Sequence, residues 1–180
     1  NKCIQGMAGA FFVIAKKAQL EKLENISPRS FYLDLYGEYK NLLRENQPRF
    51  TPPVQTIYAL RKAIDEFFEE GAENRYKRYC DNNEILVGGM ESLGFRKIFN
   101  HNIMESKLLT TFLEPEHPTY SFKRLHDILY DKGFTIYPGK IKERTFRLAN
   151  IGDINSEDIY AFLKAMKETM HLMGVRLWKQ

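Results

Sequence analysis

Apolar positions along this chain follow two rhythms, and the change between them falls near residue 95. Before it, apolar side chains recur at three and four residues. Val54, Ile57, Tyr58, Leu60, Ala63, Ile64 and Phe67 trace one helical face that starts near Pro53 and stops at Gly71. A second helix is predicted from about Glu73 to Leu93, with Tyr76, Tyr79, Cys80, Ile85, Leu86 and Met90 as core candidates and Gly94 as its stop. After it, short strand-like runs alternate with helices. Phe95–Phe99, Leu108–Leu113, Phe134–Tyr137 and Thr145–Leu148 read as strands. Ser121–Lys132 reads as a helix capped by Ser121 and ended by Gly133, and Ile159–Met173 as a last helix opened by Asn155-Ser156-Glu157-Asp158.

The first third is less regular. Ala10-Phe11-Phe12-Val13-Ile14-Ala15 reads as a buried strand, Ala18–Glu24 as a short helix and Gly37–Arg44 as helical, while Phe31–Tyr36 fits either strand or helix. In Arg49-Phe50-Thr51-Pro52-Pro53 the prolines fix their own φ and push Thr51 toward an extended backbone. The fold class is α/β, with a small domain over about residues 80–180 fed by a long connecting helix.

Composition narrows the function classes. The 180 residues are 43% hydrophobic and 28% charged, an ordinary globular balance. The net charge of +4 comes from 27 basic and 23 acidic residues spread along the chain. Arg75-Tyr76-Lys77-Arg78 is the nearest thing to a basic patch and also fits a solvated helix face, so nucleic acid is not an expected partner. No apolar run approaches the roughly 20 residues of a membrane helix. Cys3 and Cys80 have neither metal-ligand spacing nor the numbers of a disulfide framework, which leaves no metal site and a cytoplasmic setting as the simple expectations.

Four residues are candidates for chemistry. Lys2 adjoins a small, Gly-punctuated loop, Gln5-Gly6-Met7-Ala8-Gly9, a setting that permits a lysine to hold pyridoxal phosphate (PLP) as a Schiff base. An exposed terminal lysine is the plain alternative. Thr51, just before a helix, suits a phosphate oxygen or a helix cap. Arg147 sits on a strand opposite the Phe146/Leu148 face, where its planar fork serves either an acidic ligand or an ion pair with Asp153 or a helix acid. Arg49 is an anion partner or a surface charge. His101, His117, His126 and His171 lack ligand spacing and read as structural or surface groups, Trp178 reads as core or interface, and Gly88-Gly89 matches no phosphate loop.

Five stretches in order carry a resemblance across almost the whole chain: Asn-Lys-Cys-Ile-Gln-Gly at 1–6, Leu-Asp-Leu-Tyr at 33–36, Arg-Phe-Thr-Pro-Pro at 49–53, Ile-Tyr-Pro-Gly-Lys at 136–140, and Thr-Phe-Arg-Leu-Ala-Asn-Ile-Gly-Asp at 145–153. Together they resemble the class V PLP-dependent aminotransferases of fold type I. The resemblance implies the C-terminal part of such an enzyme: a remnant of the large PLP-binding domain over residues 1–75 and a small α/β domain over 76–180. It makes Lys2 the Schiff-base lysine and proton shuttle. It has Thr51 reach across a homodimer interface to the other subunit's cofactor phosphate. It assigns Arg147 to the substrate's acidic group, with Arg49 a weaker candidate nearby. The implied reaction moves the amino group of 2-aminoethylphosphonate to pyruvate, giving phosphonoacetaldehyde and alanine. Alanine–glyoxylate or serine–pyruvate exchange is the alternative within the family, and a non-catalytic assembly domain the alternative outside it. The family often has a proline in the loop where this chain has Met7-Ala8-Gly9. Its ring-nitrogen carboxylate, stacking aromatic and main phosphate turn precede the lysine. This chain by itself is therefore expected to be inactive, with exposed apolar surface over residues 1–70.

Overall fold

The computed structural model describes residues 2–99 and 106–176; Asn1, His101 and Trp178 lie outside them. The chain forms two compact units, one of residues 6–65 and one of residues 2–5 together with 66 onward.

In the first unit, helix α1 (Lys17–Glu21) runs into a 3-10 turn at Lys22–Asn25, and α2 (Leu35–Glu45) follows. Asp34 resolves the ambiguity of Phe31–Tyr36. Its carboxylate accepts from the Gly37 N–H at 2.9 Å, so it caps a helix. The predicted strand at 10–15 is absent. The segment is an extended coil with Phe11 and Phe12 73% and 77% exposed. A strand needs a neighbour to take its hydrogen bonds, and none of the described strands belongs to this unit. Phe31, Tyr32 and Leu33 are exposed as well, and Ala63 is the unit's one buried hydrophobic residue among those described. The apolar surface expected over residues 1–70 is therefore present.

Helix α3 (Val54–Glu70) begins where the prolines end, and its last turn belongs to the second unit. Gly71, at φ +82°, separates it from α4 (Ala72–Ser92). A three-stranded antiparallel sheet follows, ordered β1-β3-β2, from β1 (Leu109–Leu113), β2 (Tyr137–Pro138) and β3 (Thr145–Ala149). Helix α5 (Phe122–Asp131) lies between β1 and β2 in sequence, and α6 (Ser156–Leu172) ends the fold. Asn155 and Asp158 close a reciprocal capping box at the start of α6. The core joins the sheet to α4, α5 and α6. Phe146 stacks on Phe112 with ring centroids 5.8 Å apart, and Met90, Leu125, Leu129 and Met166 are fully buried around them. Gly89 has a packing reason: a Cβ there would overlap the Leu163 side chain of α6.

Three strand and core expectations change. Phe95–Phe99 makes only an isolated bridge, Lys97 to Phe112. The strand predicted from Phe134 pairs only at Tyr137–Pro138, a short edge that tolerates the proline's missing donor. In α4, Tyr76 is 64% exposed, while Arg75, Asn82 and Asn83 are buried. The basic stretch is therefore not a solvated face at Arg75. That guanidinium is buried because the Glu70 carboxylate and the Cys3 carbonyl partner it.

Candidate active site

Lys2 opens a 3-10 turn, Lys2–Ile4, and its φ of +63° lies in the left-handed region, as does that of Gln5 at +59°. For a residue with a Cβ this conformation costs on the order of 1 kcal/mol or more. Two contacts from α4 hold the turn in place. Arg75 donates Nη1 to the Cys3 carbonyl at 3.0 Å, and Gln5 Nε2 donates to the Tyr79 hydroxyl at 2.7 Å. Arg75 is itself fixed by Glu70, and its guanidinium lies 5.1 Å from the centre of the Phe67 ring.

Glu70 also binds Arg78, at 2.7 Å through Nε. The Arg78 hydrogen bond is the main cause that holds the Glu70 carboxyl below its ordinary value; Arg75 adds to it, and burial opposes both. Arg78 in turn donates to the Gly152 and Ile154 carbonyls at 2.9 and 3.0 Å, and Asn82 donates to Ile154 at 2.9 Å. The fully buried Asn150 donates to the carbonyls of Tyr79 and Lys107, both at 3.0 Å. Helix α4 thus ties the lysine turn at one set of residues to the loop after β3 at another, through buried polar groups that are each satisfied.

Arg147 lies on the central strand, opposite Thr111 of β1 and Tyr137 of β2. Its Nε donates to the Pro138 carbonyl at 3.0 Å, which orients the fork. Neither Asp153 nor a helix acid pairs with it; among the described residues it has no carboxylate partner. Lys2 and Arg147 line one cleft of about 770 Å³. The charged residues lining it are Lys2, Lys140, Arg147 and Asp158, three cations and one carboxylate. Asp158 is committed to the Asn155 N–H at 2.9 Å in the helix cap. Phe134, Ile136, Ile154 and Phe162 supply apolar walls.

The other two candidates belong to the first unit. Thr51 is exposed and is not the helix cap, because α3 begins three residues later at Val54. Arg49 is paired with Asp34 at 3.2 Å, its backbone N–H reaches Glu38 at 3.3 Å, and its guanidinium lies over Phe31 and Phe50 at 5.1 and 5.3 Å. A Cβ on Gly37 would overlap the Asp34 carboxylate and crowd Arg49 Nη1 to 2.5 Å, so the glycine makes room for that pair. Sequence reasoning missed Lys140, Arg75, Tyr79 and Asn150. Lys140 and Asn150 each lie in a stretch that carries the resemblance, Ile-Tyr-Pro-Gly-Lys and Thr-Phe-Arg-Leu-Ala-Asn-Ile-Gly-Asp, and Tyr79 showed only as a core position.

No protein-family model matches the chain. It is 41% identical over 172 residues, 94% of its length, to a 2-aminoethylphosphonate–pyruvate transaminase of Bacteroides fragilis, of which it spans 47%. It is 40% identical over 184 residues, 48% of the relative, to a protein of the same name from Klebsiella pneumoniae. The chain therefore spans about half the length of the curated relatives it matches. Among solved structures it is similar to an alanine–glyoxylate aminotransferase from Nostoc sp., with a TM-score of 0.74 at 22% identity, covering 86% of this chain and 42% of that one. A pyridoxamine–pyruvate aminotransferase from Mesorhizobium loti gives a TM-score of 0.73 at 20% identity, covering 90% of this chain and 42% of that one. At those identities the structural likeness shows the fold, a mixed α/β arrangement shared with PLP-dependent aminotransferases.

Proposed function

We propose that the chain is the C-terminal part of a class V PLP-dependent aminotransferase that moves the amino group of 2-aminoethylphosphonate to pyruvate, yielding phosphonoacetaldehyde and alanine. The observation that carries this reading is the shared cleft. Lys2 and Arg147, 145 positions apart, line one space with an excess of positive charge and apolar walls. Transamination needs an amine and an acid-binding group converging in that way.

The residues present fit PLP. A lysine is held in a strained turn by buried partners and lines a roomy cleft with no carboxylate paired to it among the described residues. Lys2 Nζ would hold the cofactor, and in a homodimer Thr51 would meet the phosphate bound by the other subunit. The cofactor, when bound, supplies the electron sink that stabilises negative charge on the substrate carbon. The remaining work falls to side chains. Arg147 binds the phosphonate of the donor or the carboxylate of the acceptor with the part of its fork that Pro138 leaves free. Lys2 Nζ takes the proton from the carbon that bears the donor's amino group. The apolar walls keep water from the reacting carbon. Residues 1–75 form the remnant of a large domain and 76–180 the small domain in this reading.

The test is amino transfer by the longer protein that contains this chain. 2-Aminoethylphosphonate and pyruvate should give alanine, and Arg147→Ala should lower kcat/KM on the order of 100-fold, the scale of a lost positioning contact. Exchange with alanine and glyoxylate, or serine and pyruvate, in place of the phosphonate would move the protein elsewhere in class V. A stable oligomer without PLP or transfer of any amino donor would support an assembly role.

A further inference from the structure

We infer that Lys140 is a second anion-binding cation of the cleft, and that with Arg147 it selects a doubly charged phosphonate over a singly charged carboxylate. The inference rests on the proposed transaminase reading and adds the residue that sets its substrate class. An arginine fork alone accepts either acid, so Arg147 does not explain a preference.

The turn between β2 and β3 delivers the second charge. Pro138 closes β2 and accepts from Arg147 Nε at 3.0 Å, and the Gly139 N–H donates to the Thr145 carbonyl at 2.7 Å. Those two bonds lay the residue before Lys140 directly against β3. Only glycine permits that approach: a Cβ at position 139 would overlap the Thr145 hydroxyl and come within 2.9 Å of its carbonyl oxygen. Lys140 follows and lines the same cleft as Arg147. It makes no ion pair with any described residue, whereas neighbouring Arg144 is paired with Glu114 at 3.0 Å. The cleft's carboxylate, Asp158, is turned to its own helix cap.

A phosphonate differs from a carboxylate in charge and in oxygen count. It carries up to two negative charges near neutral pH and offers three acceptor oxygens. One planar fork satisfies two of those oxygens and one charge. A mobile ammonium is the complement to what remains, because it needs no fixed approach geometry. Against a carboxylate the same ammonium has no second charge to neutralise and gains little.

The experiment compares Lys140→Gln with the parent in the longer holoenzyme. Lys142→Gln serves as control, being on the same exposed turn and outside the cleft lining. The expected result is a loss of about tenfold or more in kcat/KM for 2-aminoethylphosphonate, the scale of one charge-assisted contact. With alanine as donor the change should stay within about threefold. Calorimetric binding of ethylphosphonate and of propionate should show the same split, and it does not depend on turnover. Equal losses for both acids, or none for either, would overturn the selectivity role. If the parent transfers no amino group from the phosphonate, the transaminase reading fails separately, and the binding comparison still decides Lys140.

Discussion

Single side chains in this protein show how a buried polar atom is either answered or left as a liability. Asn150 is fully buried, and both of its amide hydrogens meet carbonyls. Tyr120 is 7% exposed, and its hydroxyl has no hydrogen-bond partner among the described residues. Burial is the main cause that pushes its ionisation far above the ordinary tyrosine range, with the Glu114 charge second. An orphaned hydroxyl carries its desolvation penalty with no bond in return. Tyr120→Phe should therefore leave stability unchanged or raise it by up to about 1 kcal/mol in a denaturant titration. Asn150→Ala, by contrast, removes one donor from each of two carbonyls, Tyr79 and Lys107, and should cost about 2 kcal/mol. Arg147 was legible in the sequence because strand alternation alone sets its face. Arg75 was not. A run of Arg, Tyr, Lys and Arg on a helix looks solvated until the carbonyl of Cys3 and the carboxylate of Glu70, far away in sequence or in the preceding helix, are known to meet it.

At the scale of elements, local signals were reliable where an element needs no distant partner. The helical stretches α3 to α6 follow from apolar spacing, capping residues and the glycines that end them. The strands were harder, since a strand exists only by pairing. Ala10–Ala15 has the composition of a buried strand and no strand beside it in its unit. The β2–β3 turn depends on Gly139 for close approach, and Gly139→Ala should destabilise the second unit by about 1–3 kcal/mol through overpacking against Thr145. The junction of α3 and α4 depends on Glu70. Its folded-state pKa is lowered, so its contribution is complete above the ordinary carboxylate value of 4.5 and is lost as pH falls through the lowered value. Acid unfolding monitored by circular dichroism should thus show a stability loss below about pH 4.5 that Glu70→Gln reduces. That variant should be less stable than the parent at neutral pH by about 1–2 kcal/mol, since Arg75 stays buried with a weaker partner.

For the whole molecule, the sequence stretches that carry the family resemblance fall on two separate units. Leu33–Tyr36 and Arg49–Pro53 lie in the first; Lys2–Gln5, Ile136–Lys140 and Thr145–Asp153 lie in the second. The cleft that joins Lys2 to Arg147 is built within the second, and its architecture explains why a lysine near the start of the chain sits with residues of the small sheet. Arg75 and Tyr79 on α4 hold the Lys2 turn, and Arg78, Asn82 and Asn150 hold the loop that follows Arg147. The exposed apolar side chains of the first unit, Phe11 to Ile14 and Phe31 to Leu33, are the apolar surface expected over residues 1–70.

The most direct measurement is the site of covalent attachment. The longer protein is loaded with PLP, reduced with borohydride, digested and mapped by mass spectrometry. The account expects the reduced cofactor on Lys2 and its loss in Lys2→Ala. A cofactor fixed to another lysine, with Lys2 unmodified, would contradict it.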